Sequence, residues 1–238
     1  MHQFIGNPST DAFSTFKSMS DPLVRPNVKC ELHNDTGGYW VPTLYMPGGT
    51  TPVPVKQAFF YYYGPPGVAQ IPKDLKMIAG GDTRQPPWPE ASQRSLSWAC
   101  TDTAPFYTQP PDCTSVNKFF RAHILFPSCV AVNPTTKKPL TDSVDHRSHM
   151  AYPTSGPCPS THPVRIPSIS FHVIYALQNG EGTYLSSDHE VPGAPSGTQL
   201  HADFWNTWDQ ALLQKAVTKC INANRECKRL KNNDTRLQ

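Results

Sequence analysis

The sequence predicts a mainly β fold: an antiparallel, sandwich-like β core with long loops and one C-terminal amphipathic helix stapled by a disulfide. Of the 238 residues, 26 are proline and 14 are glycine, and this density of interrupting residues argues against a helical bundle or coiled coil. Aromatic residues make up 11% of the chain, which is too many for a disordered polypeptide. Seven cysteines stand singly in turn-rich sequence, as is typical of a disulfide-bonded fold.

Strands are predicted where apolar segments lie between turn residues. The aromatic run Ala58–Tyr63 suits a buried strand better than a helix. Ile166–Ala176 has the clearest alternation of apolar and polar positions. Residues 1–38 are predicted to be loop-like, with a short helix over 12–19. Further strands are predicted over Tyr39–Val41, Leu44–Met46, Leu75–Ala79, Ser95–Cys100 and Lys118–Phe126.

The C-terminal helix is predicted to begin at Asp203, whose side chain would cap it. Apolar residues then recur at intervals of three to five positions up to Cys220, and Lys215 and Lys219 would favour the negative end of the helix dipole. Residues 1–224 are expected to form a single domain that needs no partner to complete its core, hence a monomer, and residues 225–238 a basic, frayed tail.

Charge and hydropathy exclude two classes of partner. The net charge of +3 is small, and the basic residues are scattered outside the tail, so no nucleic acid is expected. No uninterrupted apolar stretch is long enough to cross a bilayer.

The cysteines predict an extracellular location. None of them forms a C-x-x-C pair, which disfavours a zinc ribbon or a redox motif and favours disulfides in an oxidising compartment. No signal peptide follows Met1.

The phrase Asp145–Met150 is the strongest candidate for a functional site. It places a carboxylate, two imidazoles, a guanidinium and a hydroxyl in five consecutive residues. A structural network, in which Asp145 holds Arg147 and the histidines bond the backbone, is the alternative. His2, His162 and His201 stand in similarly distinctive phrases. In contrast, His123 and His172 lie inside predicted strands and are interpreted as ordinary strand residues.

Two chemistries are open for these residues. Neutral imidazoles of His2, His146, His149 and His201 could bind zinc or copper, with Asp145 or Asp203 orienting a ring. Alternatively, Asp145 and Asp203 are the acid and base of a glycoside hydrolase, with His146 and His149 as further catalytic residues. Asp209 is better explained as a helix cap. The residues predicted to bind substrate are His2, Arg147, Tyr152, His162, His201 and Trp205.

Several phrases together are similar to a known family. They are His2–Asn7, Tyr39–Tyr45, Leu75–Gly80, Trp98–Cys100, Phe126–Cys129, Asp145–Pro153, Cys158–Pro163 and His201–Asp209. On these phrases the chain resembles a family of secreted fungal and bacterial proteins known as a domain of unknown function, often found in fungi beside cell-wall-binding modules. The resemblance implies an H-x-H-x-F-x-G-N start in which Met1 occupies an x position, so a preceding segment with the first histidine is expected to be missing from this sequence.

The resemblance also bears on the cysteines and on function. A missing segment would leave Cys30 as the unpaired cysteine, and we expect Cys129 to pair with Cys158 and Cys220 with Cys227. The candidate residues, together with the cell-wall-binding modules that accompany the family, predict a secreted carbohydrate-active protein, a hydrolase of cell-wall or environmental polysaccharide. Two alternatives remain open, a histidine-based transition-metal protein or metalloenzyme and a non-catalytic glycan-binding surface module.

Overall fold

The computed structural model describes residues 1–21, 23, 28–30, 35–80, 95–102, 104–154, 156–190 and 192–225. Cys227, the expected partner of Cys220, lies outside these ranges, as does the tail from residue 226. Trp88 also lies outside them; its position between prolines predicts an exposed side chain. Among the described residues, no helix is both long and apolar enough to cross a bilayer.

The described residues form short strands with few helices. The helices are α1 (Phe16–Ser20), α2 (Gln210–Ala216), a π-helical turn over Val217–Ile221, and 3-10 turns over Thr114–Val116 and Asp188–Glu190. The strands are β1 (His2–Gly6), β2 (Gly38–Pro42), β3 (Leu44–Tyr45), β4 (Val55–Tyr63), β5 (Lys76–Gly80), β6 (Leu96–Ala99), β7 (Phe106–Tyr107), β8 (Arg121–Leu125), β9 (Cys129–Val130), β10 (Met150–Ala151), β11 (Val164–Arg165), β12 (Ser168–Tyr175), β13 (Tyr184–Leu185) and β14 (His201–Trp205).

Two larger antiparallel sheets enclose the core. The four-stranded sheet has the order β1-β2-β14-β5, and the five-stranded sheet has the order β4-β12-β8-β6-β7. Their inner faces meet through aromatic rings: the Tyr39 centroid lies 3.7 Å from that of Phe60 and 6.0 Å from that of Phe171, and the Phe126 and Phe204 centroids are 6.1 Å apart. The mainly β, antiparallel prediction with one C-terminal helix is therefore confirmed.

Local sequence patterns predict some strands correctly and the burial of others only in part. The alternation in Ile166–Ala176 corresponds to β12, whose Ile169, Phe171, Val173 and Tyr175 are fully buried. β4 is a strand as predicted, but it is the edge of its sheet and leaves Tyr61 51% exposed. The strand is therefore confirmed, but its expected burial is only partial because only one face of β4 meets the core.

Two predictions for the chain ends are wrong. Residues 2–6 are not loop but form β1, which pairs with β2 over its whole length. The helix does not begin at Asp203, because residues 201–205 form β14 between β2 and β5. α2 begins after Asp209, whose side chain accepts hydrogen bonds from the Ala211 and Leu212 N–H groups, as its predicted capping role requires.

The disulfides agree with the expected pattern. Cys129 is bonded to Cys158, as expected, and Cys100 is bonded to Cys113. Cys220 is also disulfide-bonded, while its expected partner lies outside the described residues. Cys30 carries a free thiol, as the resemblance implies.

A buried polar network lies where the two sheets meet. The hydroxyl of Tyr39 donates to the Asp35 carboxylate, with oxygen–oxygen distances of 2.9 and 2.8 Å, and the Gly37 N–H donates to the same carboxylate at 3.1 Å. The Tyr39 hydroxyl also contacts the Tyr62 hydroxyl, which accepts from the Trp208 indole at 3.2 Å. Burial raises the pKa of Asp35 to about 7 despite these hydrogen bonds.

Asp35 should therefore make stability depend on pH. Its folded-state pKa lies above the unfolded value of about 3.9, so the folded protein binds a proton that the unfolded chain releases, and stability falls as pH rises through this window. Relative to Asp35→Asn, the wild type should gain free energy of unfolding between about pH 8 and about pH 5, by at most about 1.4 kcal/mol per pH unit. Denaturant unfolding of both proteins across this range measures the gain. Glu181→Gln, at an exposed carboxylate, is the control, and a difference independent of pH would contradict the prediction.

Candidate functional site

The candidate site lies on the outer face of the four-stranded sheet. In β14, Ala202 and Phe204 point into the core and are 0% and 1% exposed. The pleat therefore directs His201 and Asp203 to the opposite, outer face. The register also aligns Asp203 with Trp40 of β2, and Trp40 with Phe4 of β1. One row across the sheet thus joins a carboxylate to two aromatic side chains.

Three potential metal ligands converge at this face. The Nε2 atoms of His2 and His201 are 3.3 Å apart, and the Nε2 atom of His201 lies 3.9 Å from Oδ2 of Asp203. One ligand atom from each of the three residues lies within 4.8 Å of the other two. Two neutral imidazoles and one carboxylate are a donor set that transition metals accept.

Hydrogen bonding defines the tautomer of His201. Its Nδ1 atom lies 3.1 Å from the Gln199 carbonyl oxygen, which can only accept, so Nδ1 carries the proton. Nε2 is therefore unprotonated, and its lone pair accepts the hydrogen bond from Nε2 of His2. Burial lowers the pKa of His201 to about 4, and burial also lowers the pKa of His2. Both imidazoles are consequently neutral near neutral pH.

Asp203 is an unsatisfied carboxylate in a dry environment. It is 9% exposed, and its buried Oδ2 atom has no hydrogen-bond partner. Burial raises the pKa of Asp203 to about 7, while the positive charges of Arg147 and His146 act in the opposite direction. An unpartnered buried polar atom costs stability, so it indicates a position that a ligand would satisfy.

The loop that contains the Asp145–Met150 phrase joins the free edge of the same sheet. The Lys76 N–H donates to the Thr141 carbonyl and the Ile78 N–H to the His146 carbonyl, both at 2.9 Å. Since Ile78 pairs with Asp203 on its other side, the loop lies one strand away from the carboxylate. His146 has a φ of 53°, an uncommon backbone conformation for a residue other than glycine.

Asp145 organises its own loop. Its Oδ1 atom accepts hydrogen bonds from the Ser143 hydroxyl, the Ser148 hydroxyl and the N–H groups of Arg147 and Ser148, at 2.7 to 3.0 Å. These donors, led by the Ser148 N–H, hold the pKa of Asp145 well below its usual range. Asp145 is therefore an exposed structural acceptor in this conformation, in contrast to the buried and unpartnered Asp203.

The other predicted residues divide between the site and the loop. His146 binds Asp142, with Nδ1 2.5 Å from Oδ1, and Nδ1 of the buried His149 lies 2.8 Å from the Ser143 hydroxyl oxygen. His162 contacts the Ser148 carbonyl at 3.1 Å through Nε2. The Tyr152 hydroxyl donates to the Leu125 carbonyl at 2.7 Å. The structure thus brings together His2, His201 and Asp203, and the charges of Arg147 and His146 act on Asp203. In contrast, His149 and His162 bond loop groups, and Tyr152 bonds strand β8.

Aromatic residues border the His/His/Asp cluster. Phe4 is 42% exposed, and its ring centroid lies 5.7 Å from that of Trp40. Trp205 lies two positions after Asp203 on the same face; its indole donates to Asp74 at 2.6 Å, and the Lys76 ammonium lies 4.8 Å from the centroid of its ring. The sequence predicts Trp205 as a substrate-binding residue but not Phe4 or Trp40, because the position of these two beside Asp203 depends on pairing between distant strands.

The fold and this face define a mainly β, disulfide-bonded protein with a His/His/Asp cluster on the outside of a sheet. The family model of a domain of unknown function, DUF1996, matches residues 1–208. The chain belongs to this family, which confirms the resemblance predicted from its phrases. No curated protein and no solved structure matches the chain.

The role of Asp145 in its loop is testable. Asp145→Ala removes the acceptor of four hydrogen bonds, so the amide protons of Arg147 and Ser148 should exchange faster with solvent, as hydrogen-exchange mass spectrometry or NMR measures. Because the pKa of Asp145 is lowered, the protection should be fully present above the unfolded pKa of about 3.9 and decline progressively as pH falls from there through the lower folded-state pKa. Glu181→Ala is the control. Unchanged exchange in the Asp145 variant would show that the loop does not depend on this carboxylate.

Proposed function

We propose that the protein is an extracellular, metal-dependent hydrolase of carbohydrates whose metal is bound by His2, His201 and Asp203. The observation that carries the proposal is the convergence of two imidazole Nε2 atoms and an unpartnered buried carboxylate oxygen. Zinc is the metal that this donor set suits best, and copper is the alternative.

The distances support a shared ion. Two nitrogen ligands at about 2.0–2.1 Å from a tetrahedral zinc lie about 3.3 Å apart, and the Nε2 atoms of His2 and His201 are separated by 3.3 Å. The Nε2 atom of His201 lies 3.9 Å from Asp203 Oδ2, which is longer than this spacing, so the carboxylate would have to approach the imidazoles when an ion binds. With three protein ligands, a fourth position would stay open for water or substrate, as in catalytic rather than structural zinc sites.

The surroundings of the three ligands support catalysis. The Gln199 carbonyl holds His201 in the tautomer that presents Nε2, the outer-shell contact that metal-bound histidines normally have. Such an ion would lower the pKa of a bound water so that it is a nucleophile at neutral pH. Arg147 acts on the pKa of Asp203 through its positive charge. Such a charge would stabilise the oxyanion that develops when an ester or amide substituent of a polysaccharide is hydrolysed, but not the oxocarbenium-like transition state of glycoside cleavage.

The aromatic side chains support a carbohydrate substrate. Trp40 is the direct cross-strand neighbour of Asp203, so its side chain lies within reach of a molecule bound at the three ligands. A pyranose ring has an apolar face of C–H groups that packs on an aromatic ring, and hydroxyl groups at its edge that hydrogen-bond to polar neighbours. The row from Phe4 to Asp203 offers both kinds of contact.

The disulfides support an extracellular location. Cys100–Cys113 and Cys129–Cys158 are formed, and disulfides persist in oxidising compartments and are rare in the cytosol. Polysaccharides of cell walls or of the environment are the substrates that such a location provides.

A second candidate function is metal-free glycoside hydrolysis with Asp203 as the general acid. The raised pKa of Asp203, about 7, favours it, because a general acid must hold its proton near neutral pH. Asp145 would be the second carboxylate, but its Oδ1 is occupied by four donors. A chelator separates the two functions, since only the metal-dependent hydrolase loses activity in EDTA.

Metal binding at the three ligands is the first test of this proposal. The full chain, stripped with EDTA and titrated with Zn²⁺ against a chromophoric chelator, should bind an ion that His201→Ala and Asp203→Ala weaken by at least about 100-fold, because loss of an outer-shell partner alone costs about 10- to 100-fold. His189→Ala, at an exposed histidine outside the cluster, should bind as the wild type does.

Activity is measured on the same proteins with a panel of polysaccharides. Zn²⁺-dependent release of product by the wild type, lost in His201→Ala, is the expected result. Zn²⁺ binding that both variants leave unchanged would overturn the assignment of ligands. Polysaccharide binding without turnover, with or without Zn²⁺, would favour the non-catalytic glycan-binding alternative.

The aromatic row is tested separately. Trp40→Ala should weaken binding of a soluble oligosaccharide about tenfold, equivalent to about 1.4 kcal/mol, and leave the Zn²⁺ affinity unchanged, since Trp40 supplies no ligand atom. Trp40→Phe retains an aromatic surface and should recover most of the affinity. Calorimetry measures both ligands, and equal oligosaccharide affinity in all three proteins would exclude Trp40 from the substrate site.

A further inference from the structure

A second group of histidines lies on the outer face of the five-stranded sheet. His123 of β8 and His172 of β12 are direct cross-strand partners, and their ring centroids are 4.3 Å apart. Their chain neighbours Ala122, Ile124, Phe171 and Val173 are buried in the core, so the pleat directs both imidazoles outward.

Asp102 completes this group. It follows β6 inside the loop closed by the Cys100–Cys113 disulfide, and its Oδ1 atom lies 3.4 Å from Nδ1 of His172. One ligand atom each from Asp102, His123 and His172 lies within 4.8 Å of the other two. We propose that these three residues bind a second divalent transition-metal ion, which fastens the disulfide loop to the sheet.

The two imidazoles differ in which nitrogen is available to an ion. Nε2 of His123 lies 3.2 Å from the Thr101 carbonyl oxygen, so this nitrogen carries the proton and Nδ1 keeps its lone pair. Nε2 of His172 lies 2.7 Å from the Ser170 hydroxyl oxygen, and its buried Nδ1 faces Oδ1 of Asp102 at 3.4 Å. Because a carboxylate only accepts, Nδ1 carries the proton while no ion is bound. Metal binding at Nδ1 therefore requires the other tautomer, with the proton on Nε2, which the Ser170 hydroxyl oxygen can accept.

The environment favours a soft or borderline divalent ion. Tyr61 packs edge-on against His172, with centroids 5.6 Å apart, and Phe106 packs edge-on against His123 at 5.4 Å. These rings restrict water on two sides of the cluster. Two imidazoles and one carboxylate suit Zn²⁺, Cu²⁺ or Ni²⁺ rather than Ca²⁺ or Mg²⁺, which prefer oxygen ligands.

Arg121 is a built-in competitor for this ion. Its guanidinium forms an ion pair with Oδ1 of Asp102, and its side chain is 13% exposed. A dication bound by Asp102 must share the carboxylate with this charge or displace it. The two members of this ion pair should therefore have opposite effects on metal affinity. Removing the Asp102 carboxylate should weaken Zn²⁺ binding, whereas removing the charge of Arg121 should strengthen it.

The experiment uses the full chain with the first site disabled. In a His201→Ala, Asp203→Ala background, titration with Zn²⁺ should retain one bound equivalent per chain. Asp102→Asn and His172→Ala should each weaken it by at least tenfold, Arg121→Gln should tighten it severalfold, and His189→Ala should leave it unchanged. Amide hydrogen exchange in residues 100–107 should slow when Zn²⁺ binds to the background protein, because the ion would hold the disulfide loop against the sheet.

The outcomes separate this site from the proposed function. Loss of all Zn²⁺ binding in the background protein overturns the second site and leaves the first intact. The second site is also overturned if the background protein binds Zn²⁺ with an affinity that neither Asp102→Asn nor Arg121→Gln changes. Asp102 is an exposed loop residue, 67% accessible in its side chain, so the Asp102 variant keeps the test informative where His172→Ala fails to fold.

Discussion

The pleat of β14 is the constraint on which the candidate site depends. This strand lies between β2 and β5, so its position is set by hydrogen bonds on both edges. Burial of Ala202 and Phe204 then determines which face His201 and Asp203 occupy. A shift of register by one residue would place both polar side chains in the core and both apolar ones outside, and the cost of that exchange holds His201 and Asp203 on the outer face.

The same packing gives the site its chemical character. His2 reaches it through β1, which pairs with β2 from His2 to Gly6, so residues almost two hundred positions apart become neighbours. The face around Asp203 is dry enough to leave Oδ2 without a partner. Such a group opposes folding, and natural proteins concentrate costs of this kind at functional positions.

Part of this arrangement could be predicted from local patterns and part could not. The alternation in β12 was sufficient because every second residue enters the core. In and after β14, Phe204 and Trp208 have helical spacing and Asp203 resembles a cap, so the local pattern favours a helix. Pairing of residues 201–205 with two neighbouring strands nevertheless makes this segment a strand. The sequence indicates that the phrase around His146 is polar and specialised, but its spacing contains no information on whether Asp145 faces substrate or its own loop.

The two histidine clusters occupy equivalent positions in the two sheets. Each lies on the outer face of a sheet whose inner face meets the aromatic core, and packing of the inner faces places the clusters on opposite sides of the protein. An ion at one cluster therefore cannot act with an ion at the other as a two-metal centre, which needs a separation of about 3.5–4 Å. Any coupling between them must pass through the core around Tyr39 and Phe171, whose dense packing transmits displacement. The cluster at Asp203, with a carboxylate oxygen left unpartnered beside an aromatic row, is suited to chemistry. The cluster at Asp102, bounded by a disulfide loop and an arginine, is suited to holding structure.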